Sequence, residues 1–274
     1  MLQTKGDLVI ARRMGWAPAI LIGLLVAGGV AAGGGLKKSD IVIGDAEERG
    51  LGAKMAAQIR AEKTILADRA ITDYVNRTGQ NIVRLSDRPE IPFHFLVLQD
   101  STPSAFAIPG GYVYVHTGLL KMLDTQSQLA GVLGHEIGHI VARHGVKQLQ
   151  NGLSAEQLNC LVNGVPSDSM KAAVSAGVAL ILAGYSRNME AEADSYGAMY
   201  MARIGLNPEG MAQAMDKVAK ASDGGEGFWE SLDKKHAPLA RRAAGVRGEI
   251  KDKGLDAGLP SDPQPYRVVK GRVP

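Results

Sequence analysis

The chain has 274 residues, of which 45% are hydrophobic, and it carries a formal net charge of +3. This length and apolar content are enough for one sizeable domain with small appendages. The charge is modest, and the sequence contains no basic cluster interleaved with aromatic residues, so nucleic acid is not an expected partner. The single cysteine, Cys160, excludes an internal disulfide and a Cys-x-x-Cys metal site.

Residues 1–36 have the pattern of an export signal or of a single membrane anchor. Three basic residues within 1–13 precede an uncharged apolar stretch from Met14 to Leu36, and Val30-Ala31-Ala32 is a candidate cleavage site. The same stretch is also long enough to span a bilayer once. We therefore expect a protein of the cell envelope, and the sequence leaves open whether the segment is cleaved.

Periodic apolar residues predict a mainly helical α+β fold with a small sheet. The predicted helices cover residues 45–63, 70–86, 119–123, 125–144, 172–185, 188–204, 208–221 and 238–253. The predicted strands cover residues 93–98, 105–108 and 112–115, and a tight turn at 109–111 joins the last two. We expect the folded domain to occupy residues 40–253.

Three stretches of the chain give further expectations. Residues 172–185 are apolar all round, which predicts a helix that is buried on every side. We expect a loop at residues 145–170. Residues 254–274 are rich in glycine, proline and charge, which predicts a loosely ordered tail.

The segment His135-Glu136-Ile137-Gly138-His139 has the most informative spacing in the chain. Residues i and i+4 lie on one face of a helix, so the two imidazoles can bind one ion. Neutral imidazole suits Zn²⁺, and the glutamate between them is placed to take a proton from a metal-bound water. Thr125 and Gln128 predict a capping box at the start of this helix, and Gly145 is expected to end it.

A third ligand is needed, because catalytic zinc usually has three protein ligands and a water. The class with a third histidine needs one at position 145, which is Gly145. We expect His144 to be a cation near the helix C-terminus. Downstream, Glu190 and Asp194 share a helical face, whereas Glu192 points elsewhere. The spacing leaves two interpretations open, a carboxylate ligand with a supporting carboxylate and a solvated acidic face.

Several stretches together resemble peptidase family M48, a family of zinc metalloendopeptidases, and most closely its exported BepA-like branch. The H-E-x-x-H motif is combined with Ser186-Arg187-x-x-Glu190-x-Glu192-Ala193-Asp194, as in that family. Residues 105–112 are similar to a second family segment, although Ser104 stands where asparagine is usual, and residues 43–48 are similar to its opening helix. His236-Ala237-Pro238 with Arg242 resembles a third element, but here an alanine separates the histidine from the proline.

The resemblance implies roles for individual residues. It implies that Glu190 is the third ligand of one zinc ion per chain and that Asp194 supports a ligand histidine. It also implies a gluzincin-like core in which two motif helices pack across the metal beneath a small mixed sheet. His236 would lie near the metal and stabilise the oxyanion. Peptide bonds would be hydrolysed with Glu136 as the general base.

The expected substrate is an unfolded or misfolded polypeptide that binds as an extended strand. Gly111, Tyr112 and Val113 are expected to offer it an exposed strand edge. Arg187 is expected either to position the substrate or to form a structural salt bridge. The resemblance implies quality control in the bacterial periplasm, with the envelope membrane or outer-membrane assembly proteins as further partners.

Two alternatives to an active peptidase are also consistent with the sequence. The first is a chaperone-like protein that holds unfolded segments in the same cleft with little turnover. The second is a self-inhibited enzyme in which His236, or the expected loop at residues 145–170, occupies the open metal position.

Overall fold

The computed structural model describes residues 37–164, 166–222, 238–256, 258–259 and 266–274. The predicted signal or anchor lies outside these residues and stays a prediction. A short 3-10 helix is followed by the α-helices and strands α1 Asp45–Glu62, α2 Arg69–Val83, β1 His94–Leu98, β2 Ala105–Ile108, β3 Tyr112–His116, α3 Thr117–Met122, α4 Gln126–Val141, α5 His144–Gly152, α6 Ala155–Asn163, α7 Asp168–Leu182, α8 Arg187–Arg203, α9 Glu209–Ser222, α10 Leu239–Lys253 and α11 Tyr266–Lys270.

The three strands form one mixed sheet in the order β1-β3-β2. The central strand β3 pairs in parallel with β1 and antiparallel with β2. The turn between β2 and β3 contains Gly110 and Gly111 with φ angles of 79° and 94°, a backbone region that favours glycine. The predicted hairpin is therefore confirmed, and β1 adds a parallel strand to it.

A separate hydrophobic cluster covers each face of the sheet. Alternate residues of a strand point to opposite faces, and accordingly Val113 and Val115 belong to one cluster and Tyr114 to the other. The first cluster is built mainly from α2, α4, α8, α9 and α10, and the second from α1, α5, α6 and α7. The predicted fold class, α+β and mainly helical with a small mixed sheet, is confirmed.

The motif helix ends earlier than predicted. α4 ends at Val141, and Gly145 lies inside the next helix, α5, instead of ending α4. Between the two helices Arg143 has a φ of 58°, a left-handed conformation that a right-handed helix cannot contain. Residues 145–170, expected as a loop, form most of α5, all of α6 and the start of α7. Short helices such as these depend on tertiary packing, so their local sequence signal is weak.

Helix α7 buries one face rather than its whole circumference. It packs against α1, α5 and α6, and Leu182 on its outer side is 47% exposed. The prediction of burial on every side is wrong because α7 belongs to the outer layer of the domain. Within the described residues no single helix is long and apolar enough to cross a membrane, and only α6 and α7 pass that test as a pair, bent by 107°.

Residues 266–274 are docked on the domain, which differs from the expected loose tail. The ring of Tyr266 is buried, and its hydroxyl donates a hydrogen bond to the carbonyl of Leu120. Arg272 forms an ion pair with Asp68 at 3.0 Å. Composition suggested loose order, but a single buried aromatic ring and a few long-range pairs are enough to hold the segment.

Candidate metal centre

The two motif histidines lie on α4, a helix with a capped start. The Thr125 hydroxyl accepts the backbone N–H of Gln128 at 3.1 Å, as an N-cap does. The predicted capping box is only half formed, because the Gln128 side chain accepts the N–H of Asp124 instead. His135 and His139 follow one turn apart, with their Nε2 atoms separated by 3.0 Å. Both rings therefore converge on one point, as the spacing predicts.

Glycines allow α4 and α8 to approach closely beside the motif. A Cβ atom at Gly138 would lie 2.9 Å from the carbonyl oxygen of Ala193, and one at Gly197 would lie 2.9 Å from the backbone nitrogen of His135. These distances are shorter than any ordinary carbon contact, so a side chain at either position would push the helices apart. The close approach brings acidic residues of α8 to the histidines of α4.

Helix α8 presents two buried carboxylates. Ser186 caps the helix by accepting the backbone N–H of Met189. Glu190 therefore lies in the first turn, where the helix dipole favours a negative charge. Glu190 and Asp194 are one turn apart and both are buried. Their burial excludes the solvated acidic face that the spacing had left open.

His135, His139 and Glu190 have the arrangement of a metal site. One donor atom of each residue lies within 4.8 Å of the other two. The Glu190 oxygens are 3.6 Å from His135 Nε2 and 3.9 Å from His139 Nε2. Two imidazole nitrogens and one carboxylate oxygen form the donor set of open catalytic zinc sites. The residues present therefore fit a divalent metal ion.

An ionic network lies behind His135. Asp194 Oδ1 is 2.8 Å from His135 Nδ1, the ring nitrogen that is directed away from the cluster. Arg242 of α10 binds both Asp194 oxygens, at 2.9 and 2.7 Å, and also pairs with Glu190. Burial opposes the ionised form of Asp194, but hydrogen bonds from His135 and Arg242 lower its pKa to about 2. The ionised carboxylate fixes the tautomer of His135.

Neutral rings lie behind His139. Tyr185 stacks on its imidazole, with ring centroids 4.2 Å apart and an interplanar angle of 22°. His144 Nδ1 lies 2.9 Å from His139 Nδ1, and His144 Nε2 lies 3.1 Å from a carboxylate oxygen of Glu192. The expectation that His144 is a cation near the C-terminus of the motif helix is wrong. It begins α5, and burial lowers its pKa and favours the neutral form.

Glu136 is a buried residue of α4, and its carboxyl group lies near the backbone of Ala107 in β2. Burial raises the pKa of its carboxyl group to about 7, although the charges of His135 and Arg242 and the backbone N–H of Ala107 act in the opposite direction. A pKa near neutrality suits a group that must take up and return a proton.

Strand β3 has no free edge, because it is the central strand of the sheet. This strand is paired on both sides, so Gly111, Tyr112 and Val113 cannot offer an exposed backbone edge to a peptide. The prediction of that edge is wrong. The hairpin is visible in the sequence, but the parallel pairing of β1 with β3 is a long-range contact that the sequence pattern does not encode. The strand at the edge on this side of the sheet is β2.

Two predicted site residues remain, Arg187 and His236. Arg187 is the exposed first residue of α8, and none of the described residues forms an ion pair with it. His236 lies outside the described residues, so its role at the oxyanion stays a prediction.

Arg242, Tyr185 and His144 are site residues that sequence reasoning did not place at the metal. Arg242 belongs to the family-like element after His236, but no spacing connects it with α8. Tyr185 precedes the capping serine of α8 and is part of no chemical pattern. The contact of His144 depends on the backbone turn at Arg143.

Two packed helices that present two histidines, a carboxylate and an adjacent buried glutamate are typical of a metallopeptidase. Residues 70–250 match the model of peptidase family M48, and the chain belongs to this family. The family resemblance seen in the motifs is therefore confirmed.

The individual relatives are also proteases. The beta-barrel assembly-enhancing protease of Yersinia pestis is 30% identical over 188 residues, which are 64% of this chain and 38% of that protein. Metalloprotease LoiP of Escherichia coli (strain K12) is 28% identical over 189 residues, 68% of this chain and 71% of LoiP. The mitochondrial metalloendopeptidase OMA1 of Schizosaccharomyces pombe is 31% identical over 153 residues, 55% of this chain and 44% of OMA1. The chain thus spans less than half the length of two of these three relatives, all of which are named as proteases.

Proposed function

We propose that this protein is a zinc-dependent endopeptidase that cleaves unfolded or misfolded polypeptides in the bacterial periplasm. The observation that carries the proposal is the convergence of His135, His139 and Glu190 beside Glu136, a buried carboxyl group whose pKa is near 7. The family membership supports the class of reaction.

The charges at the site support a divalent cation. Three buried carboxyl groups, Glu136, Glu190 and Asp194, face the single guanidinium of Arg242, so the site carries a net negative charge when they are ionised. A zinc ion would neutralise this charge, and its two imidazole ligands match zinc chemistry. When bound, zinc would polarise the scissile carbonyl and make the attacking water more acidic.

The protein groups then have separate tasks. Glu136 accepts a proton from the attacking water and returns it to the leaving amine. Asp194 holds His135 in the tautomer whose Nε2 lone pair faces the metal position. We also propose His236 as the group that stabilises the oxyanion, on the strength of the family resemblance.

The outer edge of β2 is the proposed binding site for an extended peptide. The His116 N–H donates to the Ser104 carbonyl across the β2–β3 pair, and antiparallel pairing then directs the backbone groups of Ala105 and Ala107 away from β3. The backbone N–H of Ala107 is close enough to the Glu136 carboxyl group to lower its pKa. A peptide that pairs with this edge would pass the catalytic glutamate. Backbone pairing carries little sequence information, which suits unfolded substrates.

The proposed location rests on residues 1–36 and on the relatives. Residues 1–36 have basic residues followed by an apolar stretch, which is the pattern of an export signal or a single anchor. One relative is named a beta-barrel assembly-enhancing protease. We therefore propose a role in envelope protein quality control, with the envelope membrane or outer-membrane assembly proteins as partners.

A Glu136→Gln variant of the full chain tests the reaction. We expect cleavage of casein, an unfolded substrate, to fall by about 10²–10⁴-fold, because the general base is lost. Zinc content should stay at one ion per chain, because the ligands are intact. Glu156→Gln, at an exposed position of α6, is the matched control and should keep full activity. Equal cleavage by the Glu136→Gln variant would contradict the proposal.

Two further results separate the alternatives. If the wild type suppresses aggregation of a denatured protein without cleaving it, the chaperone-like function is correct instead. A His236→Ala variant should keep its zinc and lose about 10²–10³-fold in turnover, as expected when an oxyanion donor is removed. Higher activity in this variant would identify a self-inhibited enzyme.

A further inference from the structure

His144 is a buried histidine that the proposed reaction does not use. Its side chain is completely buried, and each of its ring nitrogens faces a different polar group. Nδ1 is 2.9 Å from Nδ1 of His139, and Nε2 is 3.1 Å from Oε2 of Glu192. The three side chains therefore form a chain that runs from the metal cluster to the surface, where Glu192 is 48% exposed.

This contact exists because the helix is interrupted between the two histidines. In a continuous α-helix, residues five positions apart point about 140° away from each other. Here α4 stops, and Arg143 takes a φ of 58° before α5 begins. Arg143 is held there by a hydrogen bond to the carbonyl of Ile43 at 2.6 Å, and the Glu48 carboxylate lies 2.9 Å from its Nε. The turn directs the ring of His144 back to His139.

The positions of the protons along this chain follow from the direction of His139. Its Nε2 lies 3.0 Å from His135 Nε2 and faces the cluster, so this nitrogen must supply a lone pair to a metal. A neutral imidazole carries one N–H, which places the proton of His139 on Nδ1. His144 Nδ1 must then accept this proton in a hydrogen bond. The proton of His144 is consequently on Nε2, where it is donated to Glu192.

We propose that His144, anchored by Glu192, is a positioning residue that fixes the tautomer and ring orientation of His139 for metal binding. This inference rests on the proposed zinc function. It gives each ligand histidine a carboxylate-anchored partner, direct for His135 through Asp194 and indirect for His139 through His144. Partners of this kind orient metal ligands and raise their affinity for the ion.

The pair His144→Leu and His144→Asn tests the proposal in the full chain. Leucine and asparagine have nearly the same size, but only asparagine offers an oxygen that can accept the His139 N–H. We expect His144→Leu to weaken zinc binding by about 10–100-fold, measured against a chromophoric chelator, and His144→Asn to recover most of this loss. A purely structural role predicts the opposite order, because leucine is the better buried residue. The proposal would be overturned if the His144→Asn variant bound zinc no more tightly than the His144→Leu variant. It would also be overturned if the His144→Leu variant bound zinc as tightly as the wild type.

Two further measurements keep the result unambiguous. Nitrogen-15 NMR of the histidine rings in the zinc-loaded wild type should show the proton on Nδ1 of His139 and on Nε2 of His144, and the other tautomer of His144 would overturn the proposal without any substitution. His139→Ala should lose zinc in the same chelator assay. If it does not, the proposed metal site itself fails; if it does while His144→Leu binds normally, only the positioning role fails.

Discussion

His135 and His139 offer equivalent donor atoms to the cluster, but the protein supports them in different ways. Behind His135 lie two ionised groups, Asp194 and Arg242, that are buried together. Behind His139 lie a stacked tyrosine, Tyr185, and the neutral His144. One ligand is thus held by charge and the other by ring packing and a neutral hydrogen bond. The loss of the charged support and the loss of the neutral support should therefore have different physical signatures.

Substitution of a metal ligand should have the largest effect on zinc binding and proteolysis. Glu190→Ala should abolish zinc binding and lower proteolysis by on the order of 10³-fold or more, because a metal supplies several kcal/mol of transition-state stabilisation. Glu192→Ala is the matched control on the same helix and should still hold one zinc ion per chain at saturation. Metal analysis of both purified proteins gives the answer. Zinc lost from the Glu192 variant and kept in the Glu190 variant would contradict the ligand assignment.

The ionic support should be the more costly of the two to break. Asp194→Asn leaves Arg242 buried with one carboxylate fewer, and we expect the metal-free protein to lose about 3 kcal/mol of unfolding free energy. His144→Asn leaves no unpaired charge and should cost less. Arg272→Gln removes an exposed ion pair with Asp68 and should cost below about 1 kcal/mol. Urea unfolding of the three variants checks this order, and equal losses for Asp194→Asn and His144→Asn would contradict it.

Both supports depend on the close approach of α4 and α8. Gly197→Ala would place a methyl group 2.9 Å from the backbone nitrogen of His135, so we expect a loss of about 1–3 kcal/mol of unfolding free energy from overpacking. At Gly50 in α1 nothing lies within 4 Å of an added methyl group. Gly50→Ala should therefore stabilise the protein, by up to about 1 kcal/mol. A Gly197→Ala protein with unchanged stability and zinc affinity would show that the helices tolerate a wider separation.

The stacked ring should give the smallest effect. Tyr185→Leu removes the aromatic face from His139, and ring pairs of this kind contribute about 0.5–1.5 kcal/mol. We expect zinc affinity to fall by a corresponding factor of about 2–12. Tyr185→Phe keeps the ring and should bind zinc as the wild type does. If the Tyr185→Phe variant binds zinc as weakly as the Tyr185→Leu variant, the tyrosine hydroxyl and not the ring stacking supports His139.

The site residues that could be predicted are those whose spacing lies within a single helix. His135 and His139 on α4, and Glu190 and Asp194 on α8, are each one turn apart, and this spacing appears directly in the sequence. The third-ligand role of Glu190 still needed the family resemblance, because spacing alone left a solvated acidic face open.

The parts that could not be predicted depend on contacts between elements. His144 reaches His139 only because Arg143 adopts a left-handed conformation, which no residue type at that position demands. Arg242 meets Asp194 across 48 residues of sequence. The strand edge was assigned to the wrong strand because strand order is a property of the sheet. The helices differ in the same way. The main helices could be predicted from apolar periodicity, whereas the helices at residues 145–170 could not, because they form through packing on the second hydrophobic cluster.

A crystal structure of the zinc-loaded protein, with anomalous scattering recorded at the zinc absorption edge, would test the proposed metal site directly. We predict one anomalous peak per chain, within bonding distance of His135 Nε2, His139 Nε2 and a carboxylate oxygen of Glu190, with Asp194 and His144 on the far nitrogens of the two rings. A peak bound by Glu192 in place of Glu190, or no peak between α4 and α8, would contradict the proposed ligand set.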